Sequence, residues 1–339
     1  RAGENDIMQE LMSELKKSDF AAGEDLGLFT RKTRDLLEPS KMDKVWHLWY
    51  SSILSGPSTH IKNVVSNLSN IASEMGRVAV TRPSEIPSAI GGFYEGLIKG
   101  FGEAKRILKE GEPSKFEARG LKPVVFHGKA KILNIADYVG RTLGAVDAIG
   151  RSGSKYMEMR GGAHEQAIKE GYKGAELQER INQLMEKPDQ KLIDAAEKFG
   201  QRMTYTQKPE GVLGVLAQQI AGATQRVGAL KLVVPFTRIV ANVTNAGLDW
   251  TPIGAYRAFL PEGARGYQKA KRVGEAAPKL ATRERNQELG RAVLGTVAMS
   301  MFASMAGNGQ LSGDGPQYGS PERDNLMATG WRPNSIKVG

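Results

Sequence analysis

Four histidines, His47, His60, His127 and His164, are the residues of this chain best suited to hold a metal or move a proton near neutral pH. Their spacing supports neither role. No two fall four apart, and His164-Glu165 lacks the second histidine that an H-E-x-x-H zinc helix needs. Asp137, Arg141 and Asp147 recur at helical spacing, and two carboxylates about an arginine could form an acid–base cluster. Asp–Arg neighbours four apart usually only support a helix, and that structural reading is preferred. Cysteine is absent, which removes thiolate zinc sites, cysteine nucleophiles and disulfide frameworks. The patterns G-x-x-x-x-G-K-[ST] and G-x-S-x-G are missing too, so the chain encodes neither a phosphate cradle nor a nucleophile elbow. The sequence predicts no catalytic residue, no cofactor, no metal and no enzyme activity.

Binding chemistry is better represented. The formal net charge is +10, which suits nucleic acid, an anionic membrane or an acidic partner. The excess is local. Residues 1–40 hold nine acidic and six basic side chains, whereas residues 255–291 hold nine basic and four acidic ones. Within the basic stretch Arg257, Arg265, Lys269, Lys271, Arg272, Arg283 and Arg285 are the candidates for phosphate contact, with Tyr256 and Tyr267 interleaved for stacking. A solvated helix face explains such a run equally well, and no sequence-reading motif accompanies it. Directly afterwards comes AVLGTVAMSMFASMA, fifteen residues without a charge, in which Val293, Leu294, Val297, Met301 and Phe302 are the candidates for contact with lipid or a partner helix. A span needs about 20 apolar residues. By that rule the run is too short, and it reads as a buried core helix or as half of an insertion-competent hairpin.

The elements that must position these groups are helices. Apolar residues recur at i, i+3, i+4 and i+7, and no alternating strand pattern exceeds four residues, so the expected fold is all-α: a multi-helical array of amphipathic helices with glycine-rich loops and no substantial sheet. Four regions are expected: residues 1–110 helical, 111–128 a linker, 129–306 helical with the apolar terminal helix, and 307–339 a glycine-rich spacer and tail. Helices are predicted at 5–17, 42–54, 58–80, 88–110, 129–160, 174–186, 188–205, 211–226, 230–248, 251–259, 264–274 and 283–306. The helix after Pro57 is unusual. Ile61, Val64, Val65, Leu68, Ile71, Met75 and Val78 form one stripe, and the opposite face carries Asn63, Ser66, Asn67, Asn70 and Ser73. The plain expectation buries the stripe and leaves the uncharged amide face outward. The alternative is that the amide face packs on another helix by side-chain hydrogen bonds. Gly92, Gly96 and Gly100 lie on one helical face and predict close helix–helix approach, soluble rather than membranous given the Lys and Glu around them. Trp46, Trp49 and Tyr50 predict a packed helix corner in preference to an interfacial or base-stacking surface.

Three stretches carry a resemblance. SGPSTHIKNVVSN (residues 55–67), VVPFTRIVANVTNAGLDWTP (233–252) and GWRPNSIKVG (330–339) are similar, in that order, to recurrent segments of large phage-encoded internal virion or DNA-ejection proteins and of the giant polyvalent proteins of phages. Together they cover about an eighth of the chain. The resemblance implies a virion protein of the inner core or portal–tail region that passes to the host envelope on infection. Its partners would be copies of itself, other virion, portal or ejection proteins, non-specifically held phage DNA and the host membrane. Some ejection proteins carry a peptidoglycan-cleaving domain, but no glutamate here stands in the Glu-Ser context of lytic transglycosylases. Two alternatives stay open: a non-enzymatic DNA-binding or interaction module of a polyvalent protein, and a helical scaffold domain of a larger enzyme. Since the chain opens on Arg1, it is also expected to be a piece of something longer.

Overall fold

A computed structural model describes residues 41–110, 135–207, 216–217, 219–220, 237–259 and 282–337. Among them are ten α-helices and no strand, so the protein is all-α. The chain divides into two compact units, Arg1–Lys208 with Ala221–Ile239, and Pro209–Ile220 with Val240–Gly339. The predicted helix at 5–17, most of the 211–226 segment, the linker at 111–128 and the basic helix at 264–274 lie outside the described residues.

The first unit is organised around one long helix. Its elements are α1 (Lys41–Leu54), α2 (Pro57–Thr81), a 3-10 turn (Pro83–Glu85), α3 (Ile86–Glu110), α4 (Ile135–Lys169), α5 (Gly174–Glu186) and α6 (Gln190–Met203). At 35 residues α4 is about 50 Å long. The sequence pattern places its end near residue 160, where two glycines fall; both are absorbed in the helix interior. The other five helices all pack on α4.

Small residues make that arrangement possible. Helix α3 runs antiparallel along α4 with Gly92, Gly96 and Gly100 facing it. A Cβ at Gly92 or Gly96 would overlap the carbonyls of Tyr156 and Ser152, and one at Gly100 would stand 2.9 Å from the Ile149 Cα. In return Gly153 of α4 leaves space for the Phe93 ring, at 2.7 Å from where a Cβ would be. The glycine face is thus a close helix–helix packing surface, as its spacing predicts. Gly200 brings α6 equally close to the Arg151 carbonyl. Apolar clusters fill the remaining gaps: Val78, Ala89, Met157, Phe199 and Met203 at one place, and Ala163, Ala167, Ile181 and Leu184 under α5 at another. In α1, Trp49 meets Trp46 and Tyr50 edge-on at centroid distances of 5.8 and 5.0 Å, the packed corner expected of them. Helix α6 begins two residues later than the Pro188 pattern suggests. Asp189 is its N-cap, and its carboxylate accepts from the Leu192 N–H at 2.7 Å.

The second unit holds α7 (Thr237–Asp249) from Val240 onward, α8 (Pro252–Ala258), α9 (Thr282–Gly307) and α10 (Pro321–Ala328). Thr251 caps α8 and Pro252 occupies its first turn. Helix α9 packs on α8, and its Gly295 sits against the Trp250 backbone with no room for a Cβ.

The stretch expected to be a glycine-rich spacer and tail is ordered over residues 308–337. An isolated bridge joins Leu311 to Ile336, and the Lys337 N–H donates to the Gln310 carbonyl at 2.8 Å. The Ser312 hydroxyl donates to the Arg332 carbonyl. Arg323 is bracketed by the Tyr318 and Trp331 rings at 5.6 and 5.7 Å, and donates to the carbonyls of Asp314 and Pro316 at 2.8 Å each. Glycine serves here for its backbone. Gly315 takes φ +70° directly beneath the Trp331 ring, where any side chain would collide.

Candidate functional site

The polarity of this protein is partly reversed, and α2 shows how. Its amide face points inward. Asn63 and Asn67 both donate to the Asp147 carboxylate on α4, at 2.9 and 3.2 Å. Asn70 donates to the Met203 carbonyl at 2.8 Å and accepts from the Tyr205 hydroxyl at 2.9 Å. One turn on, Glu74 and Arg77 form a 2.7 Å ion pair that is almost wholly buried. Facing solvent instead are Ile61, Val65 and Leu68, each more than half exposed. The plain expectation for α2 is therefore corrected over its first half. Two asparagines and a carboxylate satisfy one another only at an interface, and Gly150 on α4 leaves the space that lets Asn67 in. From Ile71 to Val78 the stripe turns inward and the expected burial holds.

Of the carboxylate cluster considered at Asp137, Arg141 and Asp147, the two described members are engaged in helix packing. Arg141 donates from Nη1 to the carbonyls of Leu108 and Lys109 at 3.3 and 3.1 Å, and so caps the last turn of α3. Asp147 is engaged by α2. The Asp137 side chain lies outside the described residues. His47 and His164 are buried in different helices, and no group of three His, Asp or Glu side chains able to hold a metal occurs among the described residues.

Of the phosphate candidates, Arg257 is committed inside its unit. It stands 3.0 Å from Asp249 and donates to the backbone and side-chain oxygens of Asn245 at 3.1 and 3.2 Å. Arg283 and Arg285 lie half-buried in the first turn of α9. Arg265, Lys269, Lys271 and Arg272 fall outside the described residues.

The lipid and partner-helix candidates stand together on α9. Over its first half this helix buries Gln287, Glu288, Arg291, Ala292 and Gly295. Beyond Thr296 nearly every position is exposed. Val293, Val297 and Met301 are 59, 61 and 62 % exposed, Phe302 is 49 % exposed, and Leu294 is half-buried. The length of the uncharged run understates this element. The helix runs 26 residues, about 39 Å, because it starts well before that run. Among the described residues it is the one helix long and apolar enough, by length and composition, to cross a membrane. Two features of this surface go beyond the sequence-based expectations: the ordered 308–337 segment that follows it, and the stripe on α3. Opposite its glycines α3 exposes Ile90, Tyr94, Ile98 and Phe101, all above 50 %. Their i, i+4, i+8, i+11 spacing is the signal that could have found them.

No family model, curated protein or solved structure matches the chain. What fold and surface define is a class: an all-α protein of two compact units, with amide and charged groups packed inward and several aliphatic faces turned outward.

Proposed function

We propose that the protein is a structural, non-enzymatic component of a phage inner core or ejection apparatus, one that works as an oligomer and contacts the host envelope during genome delivery. The observation that carries this reading is the outer half of α9, which carries no charge on any side and is exposed at nearly every position. Monomeric soluble proteins rarely leave such a surface uncovered. The resemblance of residues 55–67, 233–252 and 330–339 to phage virion segments supplies the biological setting. Interior hydrogen bonding suits the same role. Contacts such as Asn63 and Asn67 to Asp147 hold a helix in place by geometry, leaving its aliphatic side for a partner.

The test is flotation with liposomes of the parent chain and of a Val297→Asp, Met301→Asp variant. Neither side chain is buried, so the variant keeps the fold and its thermal midpoint. It loses salt-resistant membrane association. Equal flotation of the two proteins would exclude α9 as the lipid-contacting element. Salt-sensitive DNA binding in the absence of any lipid affinity would favour the interaction-module alternative.

A further inference from the structure

The exposed stripe on α3 has a composition of its own. Ile90, Tyr94, Ile98 and Phe101 line one side of the helix within about a quarter of its circumference, continued by Leu108 at 40 % exposure. Along the second half of that stripe stand Lys105, Arg106 and Lys109, all exposed. Two of its acidic side chains are answered locally. Glu103 accepts from Arg151 at 2.7 Å, and Glu95 lies 3.6 Å from Lys99, whose ammonium also rests over the Tyr156 ring at 4.7 Å. What α3 offers outward is an aliphatic and aromatic band with a basic flank. Its opposite face is fixed to α4 through Gly92, Gly96 and Gly100, so the band is presented on a rigid support about 37 Å long.

We infer that the first unit binds an anionic lipid surface through α3, lying flat in the headgroup region, independently of α9. The inference deepens the membrane part of the proposed function and rests on it. Charge complementarity selects the occupant. A second copy docked α3 on α3 would set Lys105, Arg106 and Lys109 against like charge. An anionic headgroup layer neutralises them while their methylene stems and the band reach the acyl boundary. The ladder of Ile, Tyr, Ile and Phe gives aliphatic depth as well as ring area, which suits acyl chains better than stacked bases. This attachment is electrostatic at its edge and apolar at its centre, so it weakens with salt, unlike insertion of α9.

Because the chain has no cysteine, a single one can report the local environment. Ile98→Cys and, as control, Gly76→Cys on the exposed side of α2 are labelled with an environment-sensitive fluorophore and mixed with neutral or phosphatidylserine-containing vesicles at low and high salt. The inference expects a blue shift and quenching by brominated lipid at position 98, on anionic vesicles at low salt, and little change at position 76. It expects the same response when Val297→Asp and Met301→Asp are present. Replacing Lys105, Arg106 and Lys109 by Gln weakens partitioning roughly fivefold per charge. A vesicle-bound chain whose label at position 98 stays in water overturns the α3 proposal while leaving the α9 reading intact. A concentration-dependent shift without vesicles overturns it in favour of a second copy. Absence of binding to either vesicle overturns both.

Discussion

At Gly96 the approach of α3 to α4 depends on a missing side chain. Gly96 meets the Ser152 carbonyl so closely that a side chain cannot enter without separating α3 from α4. Gly96→Val is expected to cost about 1–3 kcal/mol or more, read as a lower denaturation midpoint. Gly102, on the same helix but with nothing near its missing Cβ, is expected to behave in the opposite sense. Gly102→Ala should stabilise by about 0.5–1 kcal/mol through helix propensity and unfolded-chain entropy. Spacing alone identifies the first of these glycines; which others lie in open space depends on the neighbouring helices. Titration offers a second test at this scale. Burial works against the Glu197 carboxylate, but hydrogen bonds from Lys155 and Gln201, with the fields of Lys155 and Arg151, outweigh it and lower its pKa. A lowered folded pKa contributes stability that is present above the unfolded value and lost as pH falls through the folded one. Glu197→Gln should therefore cost less than about 1 kcal/mol at pH 7, discounted because the group is partly exposed. The gap between variant and parent should close as pH falls below about 4.5, and a gap that is constant with pH would contradict the assignment.

Among the helices, α2 separates what a pattern can say from what it cannot. The apolar stripe and the amide face are both visible at 3.6-residue spacing, but periodicity states only that two faces differ. Which face turns inward depends on a partner, and the partner is Asp147, eighty residues away on α4. The orientation can be checked by stability. Leu68→Ser, on the exposed half, should shift stability by no more than about 0.5 kcal/mol. Ile71→Ala, three residues on and buried, should cost about 2–5 kcal/mol. Similar costs at the two positions would mean that the stripe is covered. The ends of elements are less legible than their faces. The 35-residue length of α4 is obscured by Gly161 and Gly162, whose low helix propensity is offset by packing on five other helices. The 308–337 segment is obscured for a different reason. Its glycines signal turns, but that the turns close on each other is shown by long-range contacts, the Leu311–Ile336 bridge and those of Arg323 with Tyr318 and Trp331.

At the scale of the whole molecule, each unit buries charge. Glu74 and Arg77 in the first, and Glu288 and Arg291 in the second, are among the largest fully buried side chains. Meanwhile Ile61, Leu68, Ile98, Phe101, Val297 and Met301 face outward. Composition gives no warning of this, because an apolar share of 40 % is compatible with either arrangement. Amides and ion pairs in the interior with aliphatic faces left bare are what the proposed oligomeric, lipid-contacting role requires. Flotation of the purified chain with neutral and anionic liposomes at low and high salt, alongside its mass by light scattering, asks for both properties at once. A multimeric mass and a fraction that floats even at high salt are the expected results. A monomer that stays at the bottom of the gradient with both lipids would contradict them.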